Sequence, residues 1–542
     1  MKGRTKVLLT LAAVILAVGW PLAAHYRAKR KIQDYRRQLQ ARGERLTVAE
    51  LIPHLPPEAA NSAPALIAAA SPLGYGVLTN FPPAMKYIAP GRALVAWKHD
   101  ILPTADSTNI WPALAAEVAR SEDLLSTVRS ALEKPSLAFD LDYRAGIHLA
   151  LSHLPQVKQV AQWLGAAAIL DLHEGRMNDA GQNLLALAAL VERNKDEPLM
   201  ISELVRAAIA AIAVAPTWEA LQSADWQDEQ LREVQAAWES VDWLAQAEAA
   251  LEMERATGEQ LFHEARESYS VLASGGYWTR PNSSGLSELA QMGKETLSDP
   301  FQGLSDIARR YPGYWSWKCW QSYEDELAHM EVLQAGIEAV RKARREQVLG
   351  PALKQLDQNS ALLQQAHPRA GRWLGYSPFD IAGTQKFLAR IAAMETQRRL
   401  LVTALALKRS RLRHGELPRE LMSLVPEFVA QPCRDPMDGK QLRYRLKADG
   451  SFLLYSVGEN GEDNGGDPAP PQSPSLPSKQ WWRGRDAVWP SPATPEEVKA
   501  DFDKLPLRLM QSGAAAAFRR RYGPLPARPS VTQTNPATIS PK

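Results

Sequence analysis

Cysteine is nearly absent: Cys319 and Cys433 are the two in a chain of 542 residues. No C-x-x-C pair occurs, so the usual zinc and thioredoxin-like signatures are missing. The two thiols are compatible with one disulfide in an oxidising compartment or with two unrelated buried side chains. An excess of one charge sign is also lacking. With 63 basic and 60 acidic residues the formal net charge is +3, which gives no basic footprint for a nucleic acid partner. The stretches G-x-S-x-G, H-E-x-x-H, G-x-G-x-x-G and G-x-x-x-x-G-K-S/T do not occur. The chain is therefore read as non-enzymatic, with an envelope hydrolase of dispersed active-site residues as the alternative. Hydrophobic residues make up 45% and charged residues 23%, enough for a packed core and, at this length, about two to four domains.

One long uncharged run is present. Val7–Ala24 follows Lys2, Arg4 and Lys6 and is long enough to span a bilayer. It is read as an uncleaved anchor rather than a signal peptide. The apolar stretch is long for a signal, and Leu22 stands where a small residue is wanted before a cut after Ala24. Arg27, Lys29, Arg30, Lys31, Arg36, Arg37 and Arg42 follow it. By the positive-inside rule alone this flank would hold the rest in the cytoplasm.

Residues 25–110 are read as a stalk helix, with Ile32, Tyr35 and Leu39 at helical spacing, followed by a Pro- and Ala-rich linker. From 111 to 380 the pattern is that of a helical body. Val160, Trp163, Leu164, Ala167 and Leu172 recur at three and four, as do Ala180, Leu184, Leu187 and Val191 after a turn at Glu174-Gly175-Arg176. This predicts an antiparallel pair with Trp163, Leu164, Leu184 and Leu187 in one core. Leu199–Leu221 reads as a buried helix, Asp228–Phe262 as one continuing helix, and Ser270–Gln302 as a loop. The histidines His148, His153 and His173 read as ordinary surface or core residues. The run Tyr311-Pro-Gly-Tyr-Trp-Ser-Trp-Lys-Cys-Trp320 reads as a buried aromatic cluster, with a sugar or a membrane surface as alternative partners.

After Pro418 the character changes. Leu442, Tyr444 and Leu446 alternate with Arg443 and Arg445, Ala448-Asp449-Gly450 is a hairpin turn signal, and Phe452–Val457 is the returning strand. A loop dense in Gly, Asn and Asp follows, Ser456–Asp467, with a further acid at Asp486. Oxygen-rich loops of this kind suit a hard cation such as Ca²⁺.

In order, this region shows His414-Gly415-Glu416-Leu417-Pro418, then Asp435-Pro436-Met437-Asp438-Gly439 leading to Leu442-Arg443-Tyr444. Tyr455-Ser456-Val457-Gly458-Glu459-Asn460-Gly461 with Gly465-Gly466 comes next, and Asp486-Ala487-Val488-Trp489 closes it. It resembles the globular module of the type II secretion major pseudopilin over about 90 residues. The resemblance implies Ca²⁺ in the loop. The Val457 carbonyl, Asn460 and Asp486 match ligand positions, and Asp463 or Asp467 supplies the acid between them. Asn460 stands where the family has an aspartate, and Pro468–Arg485 replaces the family's short acidic segment.

The expected fold is mainly α: an N-terminal transmembrane helix (1–24), stalk and linker (25–110), helical body (111–380), a small α+β pseudopilin-like module with an antiparallel hairpin (381–495), and a tail (496–542) with a disordered end from Ser530. The expected role is a bacterial inner-membrane, single-pass envelope protein. Its body would lie outside the cytoplasm, acting as a helical scaffold for an unknown protein partner. A cytoplasm-facing helical adaptor is the alternative.

Overall fold

The computed structural model describes residues 23–74, 84–101, 109–268, 271, 314–368, 381–469 and 485–511. Most of Val7–Ala24, the Ser270–Gln302 loop apart from Val271, and the tail from Ser530 lie outside these residues. The molecule is mainly helical, with small sheets that involve its C-terminal part.

The paired stripes around Gly175 form α6 and α7, once the earlier helices are named. These are α1 (23–41), α2 (Val48–Leu51), α3 (Ala63–Leu73), α4 (Trp111–Arg120) and α5 (Glu122–Ala131), followed by α6 (His153–His173) and α7 (Met177–Arg193). Gly175 makes the turn at φ +75°, a region that glycine enters without strain. Trp163, Leu164, Leu184 and Leu187 are all buried in the main core. Next comes α8 (Met200–Ala220). It is long and apolar enough to cross a membrane by length and composition. It packs against α6 and α7 with Ala207, Ile209, Ala210 and Ala213 buried, as a core helix does.

The stretch expected as one helix from Asp228 is two: α9 (Asp228–Glu239) and α10 (Trp243–Glu267). The break follows from Asp242, whose carboxylate accepts from the backbone N–H groups of Leu244 and Ala245 at 3.0 and 2.9 Å. That is an N-cap, and it starts a new helix while the apolar spacing runs on. A short helix α11 (314–320) precedes α12 (Ser322–Glu346). A further helix, α13 (Gly350–Ala366), starts at Gly350-Pro351, and α14 (Ile381–His414) follows.

The 25–45 segment is docked instead of standing free. Ile32, Leu39 and Leu46 are buried against Leu327 and Met330 of α12. Polar contacts pair α1 with α12 in parallel and with α10 antiparallel. His25 meets Cys319, Arg36 reaches Glu326 and Glu259 (both 2.5 Å), and Arg45 reaches Glu252 (2.5 Å). Between α10 and α12 the His329 ring occupies the space that a Cβ at Gly258 would need.

Two three-stranded sheets complete the fold. The strands are β1 (Lys86–Ala89), β2 (Arg92–Leu94), β3 (Arg443–Leu446), β4 (Phe452–Ser456), β5 (Ala487–Val488) and β6 (Ser491–Pro492). The hairpin β3–β4 is antiparallel with Arg443 opposite Tyr455 and Leu446 opposite Phe452, and β5 adds to β4. The other sheet pairs β1 with β2, and β2 in parallel with β6. A last helix, α15 (Pro495–Gln511), follows.

The core does not stop at residue 381. Phe387, Leu388, Ile391, Leu401, Leu405, Leu424, Leu454 and Trp489 belong to the same apolar cluster as Trp163 and Trp218. Trp218 Nε1 donates to the Pro490 carbonyl (2.9 Å) and Gln235 Nε2 to the Phe428 carbonyl (2.7 Å). Cys319 and Cys433 are free thiols.

Candidate functional site in the C-terminal loop

Asp435 sets the loop's base. Its side chain is fully buried and has four donors: Met437 N–H, the Ser456 hydroxyl, Val457 N–H and the Arg443 guanidinium, at 2.7–3.0 Å. Burial still pushes its carboxyl above the ordinary range, against the pull of those hydrogen bonds. Asp435 thus joins the Asp435–Gly439 turn to the end of β4 and fixes where the backbone leaves the sheet at Val457.

The loop then folds back onto Asp486. One carboxylate oxygen of Asp486 accepts from Asn464 N–H (3.2 Å), the other from Gly466 N–H (2.8 Å) and Asp467 N–H (3.1 Å). Desolvation raises its pKa and these bonds oppose the rise. Gly466 is required here: its φ is +85°, and a Cβ would lie 2.6 Å from Leu453.

The other expected ligands share this loop but face protein donors. Asp463 accepts from Gly465 N–H (3.0 Å), the Tyr455 hydroxyl (2.9 Å) and Arg443 (3.2 Å). The Gly465 bond is the largest influence holding its carboxyl below the usual range. Asp467 accepts from Ala469 N–H (2.9 Å) and Arg485 (2.9 Å). Asn460 bonds to Glu462 N–H and to Asn464. Val457 is buried.

The loop therefore gathers Asn460, Asp463, Asp467 and Asp486, while Arg443 and Arg485 already balance two of the charges a cation would balance. An ion taken up here would displace those protein donors from the carboxylates. A cation at Asp486 would face three backbone N–H dipoles. Among the described residues no group of three or more His, Cys, Asp or Glu is arranged to hold a metal ion.

Beside the loop lies an open cleft of about 1110 Å³ between α13, α14 and the 437–461 segment, with Lys354, Asp357, Lys386, Arg390, Asp438 and Glu459 among its lining residues. Its charges are mixed in sign.

The carboxylates pushed furthest from normal are interior. Glu203, raised by burial to about 7, pairs with Arg206 at 2.9 Å. Glu219, raised by burial to about 8, accepts through one oxygen from the backbone N–H groups of Met85 (2.8 Å) and Ala96 (2.9 Å). It holds the segment around β1 and β2 onto α8. The histidines also sit in structural positions. His153 Nε2 lies 2.6 Å from Glu197, and His173 stacks on Trp111 with its Nδ1 against the Trp97 carbonyl.

Sequence reasoning missed Asp435 and Arg443 as organisers. Asp435-Pro436 was visible only as a turn signal, and Arg443 only as a solvent-side strand residue. No family model, curated protein or solved structure matches the chain.

Proposed function

We propose that this chain is a single-pass membrane-anchored protein of the bacterial envelope, non-enzymatic, whose helical body is a scaffold for protein contacts outside the cytoplasm. One observation carries the reading. The segment that follows the apolar run Val7–Ala24 is built into the body. Glu44 accepts from Arg341 and Arg255 and is 4% exposed, Glu326 is fully buried between Arg36 and Arg266, and Arg341 also reaches Glu248 and Glu252. Desolvation alone would raise the Glu44 pKa, but the Arg341 hydrogen bond and the Arg255 charge hold it below normal. Breaking one partner of such a buried network leaves an uncompensated charge, so the helix cannot swing freely. A body fixed rigidly to its anchor suits a scaffold.

The extracytoplasmic side rests on the pseudopilin-like order of α14, hairpin, acidic loop and closing strand. The cytoplasmic adaptor has its own support, since Lys29, Arg30 and Lys31 stay exposed beside the apolar run. Fusions at the C-terminus separate the two. A phosphatase that is active only outside the cytoplasm is expected to be active, and a cytoplasmic reporter inactive. The opposite pattern selects the adaptor.

The second reading is Ca²⁺ in the loop, favoured by the convergence of Asn460, Asp463, Asp467 and Asp486. Because Trp218 and Gln235 bind the module to the body, the test uses the full chain. On this reading millimolar Ca²⁺ gives a binding heat and raises the melting temperature, and the absence of both refutes it. A heat and a thermal rise that Asp486→Ala removes, and Asp449→Ala keeps, would establish the ion.

A further inference from the structure

We infer that the end of the molecule at which residue 23 enters α1 rests on the lipid headgroup layer, with Trp315 and Trp320 in the interface and Lys29, Arg30 and Lys31 beside anionic headgroups. This rests on the anchor reading of Val7–Ala24.

Three helix ends meet there: the start of α1, the start of α12 and the close of α10. The short helix α11 is wedged among them. Its Tyr314 and Trp317 are 3% and 4% exposed. Trp317 Nε1 donates to Asp325 (2.9 Å), and the Tyr314 hydroxyl to the Arg266 carbonyl (3.1 Å). These two rings fasten the helix. The other two point outward: Trp315 is 49% exposed and Trp320 48%. The expectation of a buried cluster thus holds for one half of the described aromatics and fails for the other. Tyr26, 66% exposed, lies on the same end.

What covers these rings follows from where the chain goes. His25 Nδ1 donates to the Cys319 carbonyl at 2.6 Å. His25 is the residue immediately after the apolar run, so the point at which the chain leaves the bilayer is hydrogen-bonded to the segment that carries Trp315 and Trp320. Rings with an apolar body and a polar N–H favour the headgroup level. Lys29, Arg30 and Lys31 are exposed and lie within about 12 Å of residue 23 along the helix axis, at about 1.5 Å per residue. Screening acts over about 8–10 Å; Lys29, about 9 Å from residue 23, lies within that range, and the long side chains of Arg30 and Lys31 reach back toward it. Lys318 Nζ lies 5.0 Å from the centre of the Trp315 ring and adds a fourth base. Of the acids at this end, Glu326 pairs with Arg36 and Arg266 and Asp325 accepts from Trp317, while Glu324 in the first turn of α12 and Glu267, 3.5 Å from His263, are the acids the four bases outnumber.

The test uses the full chain in vesicles of phosphatidylglycerol and phosphatidylcholine. Spin labels are attached at Trp315→Cys, Trp320→Cys and, as control, Met422→Cys, in a Cys319→Ser, Cys433→Ser background. Met422 is 48% exposed and belongs to the module that meets the opposite end of α12 through the Leu349 N–H to Pro436 carbonyl bond. That end is about 37 Å away, given 25 residues in α12. Access to oxygen relative to a water-soluble nickel chelate is expected to be several-fold higher at 315 and 320 than at 422. Equal ratios, or labels at 315 and 320 shielded from both reagents, overturn the inference. Flotation of the protein with the vesicles is read separately. Failure to float overturns the anchor reading and this inference together, whereas flotation with water-exposed labels overturns this inference alone. A label-free check is the double variant Trp315→Phe, Trp320→Phe. Brominated phosphatidylglycerol is expected to quench less of its emission than of the wild type's, a difference that separates the pair from Trp20. Unchanged quenching contradicts the proposal.

Discussion

Glu219 shows how much one side chain can decide. It is fully buried, one oxygen takes two backbone N–H groups, and its other oxygen has no hydrogen-bond partner. A charged form there lacks solvation, so the folded protein keeps the proton to about pH 8, against 4.5 for an ordinary glutamate. Below that lower value both folded and unfolded chains are protonated. Between the two values the unfolded chain binds fewer protons than the folded one, so stability falls as pH rises and levels off above about 8. Glu219→Gln preserves the acceptor and removes the titration. The variant's stability relative to wild type should therefore climb by a few kcal/mol across this window, at about 1.4 kcal/mol per pKa unit. Denaturation midpoints measured at pH 5 and pH 9 check it, and parallel wild-type and variant profiles would contradict it. Nothing in the sequence marked Glu219, because its partners at Met85 and Ala96 lie more than a hundred residues away. The loop residues Asn460, Asp463, Asp467 and Asp486 were legible as a group, since they are close in sequence. Their engagement by Arg443 and Arg485 was not.

At the scale of elements, local patterns were readable and remote pairings were not. The α6–α7 pair follows from apolar spacing and one glycine turn. Leu184, 1% exposed between them, should lose about 2–5 kcal/mol of stability on replacement by Ala, as buried leucines do. A loss below about 0.5 kcal/mol in a denaturant titration would mean the site collapses without a cavity. The β3–β4 hairpin was equally legible from alternation and Asp449-Gly450. The break between α9 and α10 was hidden because Val241 continues the apolar spacing, although α9 has ended at Glu239 and Asp242 starts a new helix. The sheet of β1, β2 and β6 was invisible because β2 pairs with a strand hundreds of residues later. Its neighbour α15 is held by Arg92 to Glu497 and Lys86 to Asp501, contacts of the same long range.

For the whole molecule, the difference between expectation and structure that bears on function lies in α1. Helical spacing at Ile32, Tyr35 and Leu39 gave a helix but not its partners, and a charged, Gln-rich sequence reads as a solvated stalk. The acids that receive Arg36 of α1 and Arg45 just after it, Glu252, Glu259 and Glu326, sit on α10 and α12, more than two hundred residues away. Those pairs turn a stalk into part of the body: α1 packs on Leu327 and Met330 of α12, and Leu333, Ile337 and Val340 of the same helix belong to the main core. Hydrogen exchange on the full chain in vesicles tests this most directly. The account predicts that backbone amides of 28–41 exchange as slowly as those in the middle of α12, and that Glu326→Ala speeds exchange in 28–41 well before it affects α6. Fast exchange across 28–41 in the wild type, with α12 protected, would contradict it and restore a free stalk.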